Sequence, residues 1–191
     1  MSTKGEVKFN AKEQRALLAS IDKKLSRKVN IVIIGGSALS LKYNSKHSTE
    51  DIDTYGRSGD IDSLLDYAQQ MTGFEIAIQN AGVAYLPVNY KSRLVRILPE
   101  CKKLIVFVPE LHDFALSKIA RSHENDLEAV DDLYSTGKLK EGVLFRRYFT
   151  EMEDLHGNQE NLDYRFGYTM GKLYGQEARD RVEKEFRRRG R

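Results

Sequence analysis

The 191-residue chain has a single cysteine, Cys101, which excludes an internal disulfide framework and a zinc site built from several cysteines. It has no long apolar run. The two longest, Ile31–Ile34 and Leu104–Val108, are strand-sized and far short of the roughly 20 residues that cross a bilayer. Met1-Ser-Thr-Lys-Gly-Glu6 offers no apolar core for a signal peptide, so a reducing, cytoplasmic address without a membrane partner is the expectation. Repeats, low-complexity tracts and obvious linkers are also missing. What remains is an ordinary globular balance, 40% hydrophobic and 31% charged, with room for one good core or two small domains.

Charge of one sign does not dominate, since 31 Lys and Arg face 28 Asp and Glu for a net +3. Its placement is uneven. Gln176 to Arg191 holds seven Lys or Arg against four Asp or Glu, so this tail carries the whole excess. The run Arg187-Arg-Arg-Gly-Arg191 would attract a polyanion such as RNA. The favoured alternative is a solvated, fraying helix end whose arginines suit the C-terminal dipole.

Periodicity predicts an amphipathic helix over 11–28, then a continuous β-branched strand from Val29 to Ile34, buried on both faces. Gly35-Gly36 stops that strand, and a short helix is expected from Ser37 to Tyr43. Asp51–Tyr55 alternates as a second strand. Ser58-Gly-Asp caps a helix over Ile61–Met71. Arg93–Leu98 and Lys103–Val108 read as an antiparallel hairpin. Beyond Pro109 the pattern is helical: Leu111–Ile119, Asp126–Tyr134, Glu141–Met152, Gln159–Tyr174 and Gln176–Arg189. The expected fold is α+β, a small mixed sheet with flanking helices over 1–110, followed by a helical C-terminal part over 111–191.

The chemistry concentrates in Ile33-Ile-Gly-Gly-Ser-Ala-Leu-Ser40 and Thr49-Glu-Asp-Ile-Asp53. A strand ending in Gly-Gly-Ser at a helix start exposes backbone N–H groups, a phosphate cradle to which Ser37 adds a hydroxyl. Asp51 and Asp53 stand two apart on a strand, so both carboxylates leave the same face. Two adjacent acids repel unless a cation joins them, and hard oxygen ligands select Mg²⁺ or Mn²⁺. Together these parts suit phosphoryl or nucleotidyl transfer. Separately, each has a plainer explanation: turn chemistry for the glycines, a solvated strand edge for the acids. The segment is neither a Walker A loop, a dinucleotide fingerprint nor a nucleophile elbow.

The ordered set of strand, Gly-Gly-Ser, short helix, strand and Asp-x-Asp resembles the DNA polymerase β-like nucleotidyltransferase superfamily. It is most similar to the toxin-like AbiEii and MenT-type branch and its related uncharacterised domains. The likeness runs from about Val29 to Leu133 and takes in Leu86-Pro87, Arg93-Leu94, Asp113-Phe-Ala-Leu-Ser-Lys118-Ile-Ala-Arg121 and Asn125–Leu133. In that branch Arg-x-Thr precedes the acids, whereas here the stretch is His47-Ser-Thr49, with His47 in the place of Arg.

The resemblance implies triphosphate binding at Gly35, Gly36 and Ser37, with metal at Asp51 and Asp53. It assigns Lys118, with Arg121 three residues on, to nucleotide phosphates or leaving pyrophosphate. An ordinary solvated lysine is the other reading of Lys118. Asp126 either orients Lys118 or Arg121 through an ion pair or caps the following helix. Full catalytic members carry a third acid on a later strand, and neither expected hairpin strand has one. Asp113 is the best substitute among Glu100, Glu110 and Asp113, with a role at a helix N-terminus as the alternative.

The implied activity is a Mg²⁺-dependent transfer of a nucleotidyl group from NTP to an acceptor hydroxyl. The implied acceptor is RNA, such as a tRNA 3′ end, in a toxin–antitoxin or defence setting with a cognate antitoxin. Protein and small-molecule acceptors stay open. The alternative is an inactive nucleotide- or RNA-binding module of the same fold. His47, His112, His123 and His156 lack metal-ligand spacing, and most of them are expected to face solvent. Tyr148, Tyr164, Tyr168 and Tyr174, with Phe145, Phe149 and Phe166, either form the helical core or stack on bases among Arg146, Arg147 and Arg165.

Overall fold

The computed structural model describes residues 7–44, 46–55, 59–81, 85–121, 123–152 and 158–191. The expected cap at Ser58 and the side chain of His156 lie outside these residues. The chain divides into two compact units, 1–84 with 94–109, and 85–93 with 110–191. Residues 85–93 thus belong with the helices, although their neighbours on both sides belong with the sheet.

In the first unit, helix α1 (Ala11–Lys24) starts on a reciprocal cap. Asn10 Oδ1 accepts from the N–H groups of Lys12 and Glu13 at 2.9 and 3.2 Å, and Glu13 Oε2 accepts from Asn10 N–H at 2.8 Å. The helix stops at Lys24, four residues earlier than its periodicity suggests, because Leu25 turns to extended backbone. Strands β1 (Val29–Ile33), β2 (Asp51–Tyr55), β3 (Ala77–Asn80), β4 (Val95–Ile97) and β5 (Leu104–Val108) form one mixed sheet in the order β3-β2-β1-β5-β4. β1 is antiparallel to β2 and parallel to β5, β3 lies parallel to β2, and β4 and β5 form the expected antiparallel pair.

One face of the sheet is the core. Ile31, Ile33, Ile52, Leu104, Val106 and Val108 are each at most 1% exposed, beneath α1 and α3 (Gly59–Thr72), which pack on each other. β1 is not buried on both faces: Asn30 is exposed and Val32 half-buried, since both helices serve the other side. Asp22 of α1 locks the helix to β5 by accepting the N–H groups of Lys103 and Leu104, both at 2.6 Å. Cys101, in the turn between β4 and β5, is 2% exposed.

The second unit is helical after a 3₁₀ turn at Tyr90–Arg93: α4 (Leu111–Arg121), α5 (Glu124–Ser135), α6 (Glu141–Glu151), α7 (Gln159–Tyr174) and α8 (Gln176–Arg188). Tyr148 stacks on Phe166 at 3.7 Å between centroids, with Phe149 and Phe186 edge-on or tilted around them. Gly175, at φ 90°, turns α7 back as α8. At Gly171 the two helices are so close that a methyl group would lie 3.2 Å from Arg179 Cβ.

The basic tail is not a fraying end. Arg191 Nε donates to Asp163 Oδ2 at 2.8 Å, and Asp163 also accepts from Tyr148 Oη at 2.6 Å. Arg189 donates to Glu185 at 2.7 Å and to the Phe149 carbonyl at 2.9 Å. No described helix is long and apolar enough to cross a membrane.

Candidate active site

β2 runs antiparallel to β1 with Ile33 opposite Thr54, so the first residues of β2 lie past the end of β1, alongside the glycine turn, and Ile34 N–H donates to the Asp53 carbonyl at 2.9 Å. Residues eleven to nineteen apart in sequence therefore meet at one corner of the sheet. Helix α2 starts at Gly35 rather than Ser37 and runs to Ala38, continuing as a π-helical turn from Leu39 to Tyr43. Gly35 has φ 64°, and a methyl group there would fall 2.5 Å from Asp53 Oδ2. A methyl group on Gly36 would fall 2.8 Å from Thr49 Oγ1 and 3.3 Å from His47 Nε2. The two glycines are thus the space into which Asp53, Thr49 and His47 fit.

The corner is braced from behind. The Ser37 hydroxyl, 1% exposed, donates to the Asp51 carbonyl at 2.7 Å, stitching the glycine turn to the acid strand. Ser40 Oγ lies 3.1 Å from both the Ser37 carbonyl and Gln14 Oε1, and Gln14 Nε2 donates to the Phe9 carbonyl at 2.9 Å. Phe9 and Thr49 exchange backbone hydrogen bonds at 2.7 and 3.1 Å. Tyr43 Oη donates to the Pro109 carbonyl at 2.5 Å and fixes the far end of the π turn. π-helical turns in this position hold a local geometry that a regular α-helix would not.

Asp51 and Asp53 are half-buried on one face of β2, while Ile52 and Thr54 between and beyond them are 0% exposed on the other. The two carboxylates are the hard oxygen donors that Mg²⁺ or Mn²⁺ would require. Among the described residues no group of three or more His, Cys, Asp or Glu converges as a metal cage. Two carboxylates with the remaining positions left to water and phosphate oxygens is the arrangement Mg²⁺ favours.

The other sequence-predicted residues form two clusters in the second unit. Asp126, 0% exposed, accepts from Lys118 Nζ at 2.7 Å and from Arg121 Nε and Nη2 at 2.7 and 2.6 Å. It also accepts the His123 N–H at 3.1 Å, so Asp126 both joins the cations and caps α5. Burial raises its pKa, but the hydrogen bonds from Arg121 and Lys118 outweigh that and hold it below the usual carboxylate range. Lys118 itself is 6% exposed, not a solvated lysine.

Asp113, also 0% exposed, is enclosed by two arginines. Arg93 meets it with two hydrogen bonds at 2.8 and 2.9 Å, and Arg147 with one at 2.9 Å. Arg93 continues to Glu151 at 2.6 Å, and Arg147 to Glu110. His112 does not face solvent: at 8% exposure its Nε2 accepts the Lys140 N–H at 2.9 Å and its Nδ1 lies 2.7 Å from Glu110 Oε1. This assigns the ring proton to Nδ1. Glu110, weighed as a third acid, and Arg147, weighed as a base-stacking arginine, pair with each other, and Glu151 alone escapes the sequence reading although it follows Arg147 at the i, i+4 spacing of a helical ion pair.

A glycine-glycine turn interlocked with paired carboxylates on the adjacent antiparallel strand is the arrangement that the resemblance to nucleotidyltransferases implies. Residues 11–175 match the family described as "Nucleotidyltransferase of unknown function (DUF6036)", and the chain belongs to it. No curated protein and no solved structure matches the chain.

Proposed function

We propose that this nucleotidyltransferase moves a nucleotidyl group from an NTP to an acceptor hydroxyl with Mg²⁺ or Mn²⁺ held by Asp51 and Asp53. One observation carries the reading: the Asp53 carboxylate lies against Gly35, in the space a side chain there would fill. Acids and glycine turn are thereby one site. The metal, when bound, supplies charge neutralisation for the triphosphate and activation of the attacking hydroxyl.

The chain's own residues do the positioning. Gly35 and Gly36, without side chains of their own, let Asp53, Thr49 and His47 close on the turn, whose backbone N–H groups would receive phosphate oxygens. Ser37, spent on the Asp51 carbonyl, fixes the distance between turn and acids. His47 and Thr49 form the wall beside Gly36. Lys118 and Arg121 keep their role toward phosphate or pyrophosphate as part of the resemblance. An RNA acceptor and a toxin–antitoxin or defence setting in the AbiEii and MenT manner are supported by the same quoted residues.

The test is incubation of the protein with labelled NTPs, Mg²⁺ and total RNA. Label transfer is expected for the natural chain and its loss for Asp51→Ala/Asp53→Ala. No transfer, or equal transfer by the double variant, overturns the reading. Calorimetric NTP affinity that survives EDTA with no transfer would identify the inactive binding module instead.

A further inference from the structure

The inward side of α7 is filled by Leu162, Phe166, Met170 and Leu173, and the core needs nothing from its other side. There Tyr164 and Tyr168 stand one turn apart, 67% and 46% exposed, with ring planes 21° apart and centroids separated by 6.5 Å. Two large rings left in solvent side by side, near-parallel, are not core residues that failed to fit. Beside them is a cavity of about 160 Å³ between α7 and α8, walled by the tyrosines on one side and Arg179 and Glu183 on the other. Gly167 and Phe186 give it an apolar base, and the Asp163 carboxylate, already engaged by Tyr148 and Arg191, lines it as well.

Charge says what suits this face. Gln176–Arg191 carries all of the chain's positive excess. Much of that charge is internally matched: Arg179 by Glu183 at 2.9 Å, Arg181 by Glu141, Arg188 and Arg189 by Glu185, and Arg191 by Asp163. Lys184 and Arg187 remain exposed, and among the described residues no carboxylate pairs with either. Arg187 follows Glu183 by one turn, on the side of α8 that lines the cavity.

We propose that this α7/α8 face binds single-stranded nucleic acid, with bases stacked on Tyr164 and Tyr168 and phosphates drawn to Arg187. Stacking needs only a π-face, so it tolerates any sequence, and an exposed cation beside it draws the backbone. A planar base fits the tyrosine wall and apolar base of the cavity, whereas an acidic peptide would use the cation and leave the rings idle. Nucleotidyl transfer is not required for this binding, which takes place wholly within the helical unit.

The experiment is fluorescence anisotropy of the full chain with labelled oligouridylate and oligothymidylate of about twelve nucleotides. EDTA is present and NTP omitted, so the outcome is independent of the transfer reaction. Tyr164→Ala/Tyr168→Ala should weaken binding about tenfold or more, and Tyr164→Phe/Tyr168→Phe should retain it. Arg187→Ala should flatten the log–log salt dependence by about 0.7, and Lys184→Ala, on another side of α8, should leave it unchanged. Asp51→Ala/Asp53→Ala should bind as the natural chain does, which separates this proposal from the catalytic one. Equal affinity of the tyrosine-to-alanine variant overturns it. So does equal affinity for a duplex of the same length, or full displacement by polyglutamate that is insensitive to the tyrosines. Uridylate and thymidylate binding alike marks a general single-strand site, and uridylate preference marks an RNA site.

Discussion

Gly35 joins backbone geometry to chemistry at a single position. Its φ of 64° costs any L-residue about 1–2 kcal/mol, and a methyl group would also collide with Asp53 Oδ2. Gly35→Ala is therefore expected to lower the melting temperature modestly while abolishing label transfer, because the displaced group is a proposed metal ligand. Thermal melts and the transfer assay, run together, check both halves. The placement of Asp51 and Asp53 on one face was legible from their spacing alone, since a strand alternates sides residue by residue. Ser37 was not legible in the same way. Its hydroxyl had two possible acceptors in principle, a bound phosphate or the protein, and only the fold shows it turned inward to the Asp51 carbonyl.

At the scale of elements, the start of α4 is the charged hinge of the second unit. Burial raises the Glu110 pKa, but hydrogen bonds from His112 and Arg147 outweigh it and bring the group down from 4.5 to about 2. A carboxylate depressed in the folded state stabilises above its unfolded pKa and loses that contribution as pH falls toward the folded value. Urea midpoints should thus fall between pH 4.5 and about 2, and Glu110→Gln should lessen that fall while lowering stability at neutral pH. Elements with strong patterns were readable: α7 and the β4–β5 pair stand where periodicity puts them. β3 was invisible because Ala77-Ile-Gln-Asn80 buries only Ile78, too little to leave an alternating signature. The π turn over Leu39–Tyr43 was equally silent, since it depends on braces from Gln14 and Pro109 that are remote in sequence.

At the scale of the whole molecule, the chain passes between its two units three times, at 84–85, 93–94 and 109–110. A linear reading divides the protein once, near 110. The excursion over 85–93 belongs with the helices because Arg93 meets Asp113 and Glu151, and Asn89 N–H donates to Glu151 at 3.2 Å. Arg93→Ala leaves Asp113 buried with Arg147 still paired to it, so the cost falls below the roughly 3–5 kcal/mol of an uncompensated buried charge. Hydrogen exchange should show α4 and α6 losing protection while the strands keep theirs. Uniform loss across both units would contradict this division of the chain.

The lone sulfur atom capable of nucleophilic attack has a practical corollary. Burial, reinforced by the negative charges of Asp22 and Glu100, pushes the Cys101 thiol up to about 11, so the folded sheet holds it protonated and inaccessible. A maleimide dye therefore works as a stopwatch for the opening of the β4–β5 turn and of helix α1 beside it, with no engineered label needed.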